Sequence, residues 1–123
     1  MSLSLVAAAL AALVHVGFFV LESFLFTKPA GRKIFGTSAA DAERMKFFAF
    51  NQGFYNLFLA LGCAVGIGLS VSGRSDAGRA LVTFTCASMV AAAAILATGG
   101  KRFARGVVAQ GLPPLVALAA MLA

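Results

Sequence analysis

Two ionisable residues sit inside the first apolar stretch of the chain, His15 and Glu22. They are seven residues apart, two turns of an α-helix, so one helix face carries both. A carboxyl group in a low-dielectric setting with a histidine on the same face is a set for proton exchange. Ionisable groups inside a membrane are costly and mark functional positions by default. A second polar group follows in the next apolar stretch: Asn51, Gln52, Tyr55 and Asn56. At about 100° per residue these four cover an arc of about 140°, one face of a helix. Their amide and hydroxyl groups can orient an oxygen-bearing ligand. Gln110, in the last apolar stretch, is the remaining candidate. The expected roles are Glu22 and His15 as catalytic proton carriers, with Asn51, Gln52, Tyr55, Asn56 and Gln110 as ligand-binding residues.

Depth brings these residues to one half of a membrane. At about 1.5 Å per residue from the basic ends of the spans, Glu22 lies about 6 Å deep. Asn51 and Gln52 fall at about 6–8 Å, Gln110 at about 10 Å, Tyr55 and Asn56 at about 12–14 Å, and His15 at about 16 Å. An unpaired polar group there costs several kcal/mol, so the cluster is expected to point inward. No zinc set is expected, since one histidine and one carboxylate with amides make a poor one. No Ser-His-Asp arrangement, phosphate-binding glycine loop or dinucleotide fingerprint is present. The residues name no cofactor.

The elements that must hold these groups follow from composition. Of 123 residues, 61% are hydrophobic and 11% charged, against about 25% charged in soluble domains. That excludes disorder and argues against a soluble globule. The apolar runs predict one integral membrane domain over residues 1–123, an all-α four-transmembrane-helix bundle. Its spans are expected at about 3–26, 47–71, 80–97 and 103–122. Ser38 to Asp41 is a helix-start pattern, so the second helix is expected to begin near Ala39, ahead of its membrane entry near Phe47. Pro113 and Pro114 are expected to kink the last helix. The first run lacks a basic flank and is too long for a signal peptide, so it is expected to be retained as a span.

The net charge is +6, with ten Lys and Arg against four Asp and Glu. Nucleic acid is not an expected partner, because the basic residues sit in short clusters between apolar runs. The first and third connections hold Lys28, Arg32, Lys33, Arg44, Lys46, Lys101, Arg102 and Arg105, whereas the second holds Arg74 and Arg79. This bias predicts cytoplasmic first and third connections and both termini outside. The expected location is a bacterial inner membrane. Expected partners are membrane lipid and a lipophilic small molecule. Gly62 and Gly66, with other small-xxx-small pairs, imply tight packing and are compatible with a homo-oligomer. Cys63 and Cys86 are expected as small buried thiols, with a disulfide between neighbouring helices as the alternative. Ten of the twelve phenylalanines lie between Phe18 and Phe58, so the first helix pair is aromatic and the second alanine-rich.

Several motifs together resemble one family. They are His15 and Glu22, then Pro29, Gly31-Arg32-Lys33 and Phe35-Gly36, then Asn51-Gln52-Gly53-Phe54-Tyr55-Asn56, and Gln110-Gly111-Leu112-Pro113. The chain resembles the domain-of-unknown-function 1304 family of small bacterial and fungal membrane proteins over nearly its whole length. That family often has Trp where Phe26 stands and an acid where Val14 stands. The resemblance implies four membrane helices and no particular activity. A weaker likeness, in architecture alone, is to the four-span membrane proteins of eicosanoid and glutathione metabolism.

The functional expectation is a polar pocket in the cytoplasmic half that binds, or acts on, a lipophilic or amphiphilic small molecule. A small proton-coupled transporter and a non-catalytic packing subunit are the alternatives.

Overall fold

The computed structural model describes residues 2–123. The helices are α1 (Leu3–Ser23), α2 (Pro29–Phe35), α3 (Ala39–Val71), α4 (Ser75–Ala97) and α5 (Ala104–Leu122), with a single 3₁₀ turn at Lys101–Phe103 before α5. α1, α3, α4 and the stretch Lys101–Leu122 are each long and apolar enough to cross a membrane. The fold is all-α, and the composition of these helices marks an integral membrane protein. The first helix stops at Ser23, short of the end of its apolar run, and the chain turns before Pro29 opens α2. α5 runs through Pro113 and Pro114.

Two compact units divide the chain. One holds His15–Phe58; the other holds the residues up to Val14 together with Leu59–Ala123. In the larger unit, parts of α1 and α3 pack with α4 and α5. Its core is small: Ala8, Ala11, Cys63, Val82, Cys86, Met89 and Ala117 are fully buried. Small side chains let helices approach where lipid gives no hydrophobic drive to associate. The closest approach is between α3 and α4. A Cβ placed on Gly66 would lie 2.9 Å from the Val82 amide nitrogen and 3.0 Å from the Gly78 carbonyl. Several hydroxyls in this unit return to their own helix: Ser70 Oγ donates to the Gly66 carbonyl and Thr85 Oγ1 to that of Leu81, whereas Thr83 Oγ1 of α4 reaches Met121 Sδ of α5. Ser70 and Thr85 are thus satisfied locally within their apolar spans. Cys63 and Cys86 are free thiols, and Cys63 Sγ donates to the Ala8 carbonyl at 3.4 Å. The Arg79 guanidinium donates to the Met121 carbonyl at 3.0 Å, a cation on an orphan carbonyl at the end of α5.

The smaller unit is the aromatic one. Phe19 meets Phe24 and Phe54 edge-on, and Phe54 continues to Phe50 and Phe58. Phe26, Ala42 and Ala49 form a second small core with Phe35 against it. The amide of Asp41 donates to Ser38 Oγ at 3.1 Å, so Ser38 caps the start of α3. Ser38→Ala is expected to cost about 1 kcal/mol locally. Hydrogen exchange at the amides of Ala40 to Glu43 checks this: they should exchange faster, while those beyond Phe50 should not.

Candidate functional site

The smaller unit carries both His15 and Glu22 together with Asn51, Gln52, Tyr55 and Asn56 of α3. α1 and α3 meet here at a glycine. A Cβ on Gly53 would overlap Ser23 Oγ and lie 3.0 Å from the Ser23 amide nitrogen and 3.1 Å from the Phe19 carbonyl. The Ser23 hydroxyl donates to the Phe50 carbonyl at 2.9 Å, which sets the end of α1 level with that turn of α3. This close crossing puts Glu22 within reach of α3. Asn56 Nδ2 donates to Glu22 Oε1 at 2.5 Å. Asn56 is buried and Glu22 half-buried.

These four α3 residues do not share one fate. Asn56 faces into the unit, whereas Asn51, Gln52 and Tyr55 are exposed. This corrects the expectation that the whole set points inward, and helix geometry gives the reason. Setting Asn51 at zero and turning about 100° per residue, Tyr55 falls at about 40°, Gln52 at about 100° and Asn56 at about 140°. The buried positions Ala42, Ala49 and Gly53 fall at about 160–200° on the same wheel. The polar arc therefore overlaps the packed face at its Asn56 edge alone. Ala42, Ala49 and Asn56 recur at intervals of seven, so Asn56 takes a position in a stripe of otherwise small residues.

His15 is fully buried, with its ring edge-on to Phe18 at 5.6 Å. Along α1 it lies about 10 Å from Glu22 by helical rise. A proton moving between the two would need a bridging group. Gln110 belongs to the larger unit, half-buried on α5. Two open hollows mark the surface, one along Asp76 to Ala87 of α4 and one along Ala104 to Ala109 of α5. None of the residues expected to form the site lines either hollow. Among the described residues, no three His, Cys, Asp or Glu side chains come together to hold a metal.

One participant escaped the sequence reading. Ser23 ties α1 to α3 beside Glu22, and its adjacency to Glu22 was the available signal. The aromatic content around it was visible, but which rings touch was not.

Four membrane-length helices define a small integral membrane protein, in whose smaller unit one carboxyl group is held by an asparagine from the neighbouring helix. The chain belongs to the family described as Protein of unknown function (DUF1304), whose model matches residues 9–122. No curated protein and no solved structure matches it.

Proposed function

We propose that the Glu22–Asn56 pair is the polar end of a membrane site that binds the head of a lipophilic or amphiphilic small molecule. The observation that carries this is the Asn56-to-Glu22 hydrogen bond in a partly buried setting. It fixes one carboxylate oxygen and leaves Glu22 half-exposed. Glu22 would then take up or deliver a proton on the bound molecule. His15, fully buried and about 10 Å along α1 from Glu22, is left outside this contact. The exposure of Asn51, Gln52 and Tyr55 favours approach from the side of the unit rather than an enclosed pocket. Those three would meet the polar head as it arrives. Gln110 is left outside the proposal. The distribution of Lys and Arg supports cytoplasmic first and third connections, with Glu22 near that side.

A second reading has its own observation. Asn56 stands in a buried stripe of small residues, where a polar side chain pins helix register. In that reading the pair is a packing device and no ligand exists. A transporter reading needs a polar path through the protein, which the Glu22 pair does not by itself supply.

Mass spectrometry of small molecules that copurify in mild detergent separates these readings. The comparison is between wild type, Glu22→Ala, Asn51→Ala and Asn56→Ala, each checked for helix content. A compound present with wild type and lost from Glu22→Ala and Asn56→Ala is the expected result. An identical background in all four folded proteins would sink the binding site and leave the packing reading.

A further inference from the structure

The basic charges of the smaller unit are unequally partnered. Its three carboxylates are Glu22, Asp41 and Glu43. Asp41 is held by Arg44 and Glu43 by Lys46, each three residues along α3. Glu22 accepts from Asn56. No carboxylate of the unit is left for Lys28, Arg32 and Lys33, which sit on and just before α2. The Nε–H of Arg32 is buried without an acceptor. This covered Nε is not the atom an outside group would meet; the outer guanidinium nitrogens of half-buried Arg32 are the ones within reach of a phosphate.

The surroundings identify that outside group. α2 follows directly from the end of α1, so it lies where a membrane span gives way to the headgroup region. Its inner side is anchored: Gly31 is buried against the Leu25 backbone, and Phe35 packs on Phe26. Its outer side mixes exposed Lys33 with exposed Ile34, and Lys28 is exposed just ahead of it. Phe24, immediately after α1, is also exposed. Cations interleaved with large apolar side chains are the pattern of a helix lying in a membrane interface. A guanidinium suits a phosphate because its fork can donate two parallel hydrogen bonds.

We propose that Arg32, with Lys28 and Lys33, holds the phosphate headgroup of an anionic phospholipid, while Ile34 and Phe24 lie against its acyl chains. The partner is a lipid rather than a soluble phosphate because the apolar side chains share the surface with the cations. This site is separate from the Glu22–Asn56 pair and does not depend on it.

Native mass spectrometry of the full chain tests this in micelles doped equally with phosphatidylglycerol and phosphatidylcholine. Wild type is expected to retain phosphatidylglycerol in excess. Arg32→Gln should cut that excess about fivefold, the factor for one basic residue at an anionic surface. Arg32→Lys should restore part of it. Lys33 is exposed, so Lys33→Gln should leave the fold intact and should cut the excess too. Arg74→Gln, in the connection between α3 and α4, should change nothing. Equal retention of the two lipids by wild type would overturn the proposal, as would an unchanged excess in folded Arg32→Gln or in Lys33→Gln. Displacement of the lipid by glycerol phosphate alone would show that the site takes soluble phosphate, and would overturn the lipid assignment.

Discussion

Gly78→Ala is expected to destabilise the protein by about 3 kcal/mol, at the upper end of overpacking penalties. One added methyl group is the whole change. A Cβ at this position would overlap Ser70 Oγ, and would sit 2.5 Å from the Ser70 amide nitrogen and 2.6 Å from the Gly66 carbonyl. Most of those atoms are backbone and cannot turn aside, so α3 and α4 must separate. Separation would open the packed layer around Val82, Cys86 and Met89, which is fully buried. Gly68, also on α3, supplies the control. A Cβ there meets nothing within 4 Å. Gly68→Ala should therefore gain up to about 1 kcal/mol from restricting the unfolded chain and from helix propensity. Opposite signs for one substitution type at two helix glycines are the expected result, read by unfolding titrations in mixed micelles. Equal effects would mean that α3 and α4 are not in backbone contact.

The Glu22–Asn56 pair should show a coupling that survives one substitution and not others. Asn56→Leu keeps the branching at Cγ but removes the donor, and Glu22→Leu removes the acceptor. Each is expected to cost about 1–3 kcal/mol, because each leaves a polar partner without its bond in a partly buried place. The double variant should cost less than the sum, with a coupling of about 0.6–1.7 kcal/mol, the range for side-chain bonds in membrane proteins. Glu22→Gln keeps an oxygen that Asn56 can donate to, so its stability should stay within a few tenths of a kcal/mol of wild type. If Glu22 exchanges a proton with a bound molecule, that same conservative variant should lose the exchange while keeping the fold. A stable Glu22→Gln that retains every copurifying compound would favour simple hydrogen-bond capture. A Leu double variant as unstable as the sum of its singles would mean the two side chains do not interact.

Much of the architecture was legible along the chain. Apolar runs long enough to cross a bilayer are counted directly, because helix rise and bilayer thickness fix the length required. Ser38 could be read as a cap because a capping hydroxyl acts on an amide three residues away, a purely local interaction. The resemblance to the family rested on strings such as Asn51-Gln52-Gly53 and Gln110-Gly111, and the family match spans them. His15 and Glu22 could be placed on one face from their spacing alone, since both belong to one continuous helix.

What spacing left undecided is which part of a polar face meets another helix. Asn51, Gln52, Tyr55 and Asn56 were one group on the helical wheel, yet Asn56 alone is buried against Glu22. The wheel gives angles relative to the helix axis, and the rotation of that axis is set by contacts elsewhere. Gly53 against Ser23, and Ala42 and Ala49 in their own core, turn α3 so that its small residues are packed and the rest of the arc faces out. The same holds for charge. Ten basic residues were countable in the chain, but that Arg44 and Lys46 have carboxylates and Arg32 Nε has no acceptor is a fact of placement. Helix content and membrane insertion follow from local composition and length; the choice of partners depends on contacts between residues far apart in sequence, which tertiary packing alone supplies.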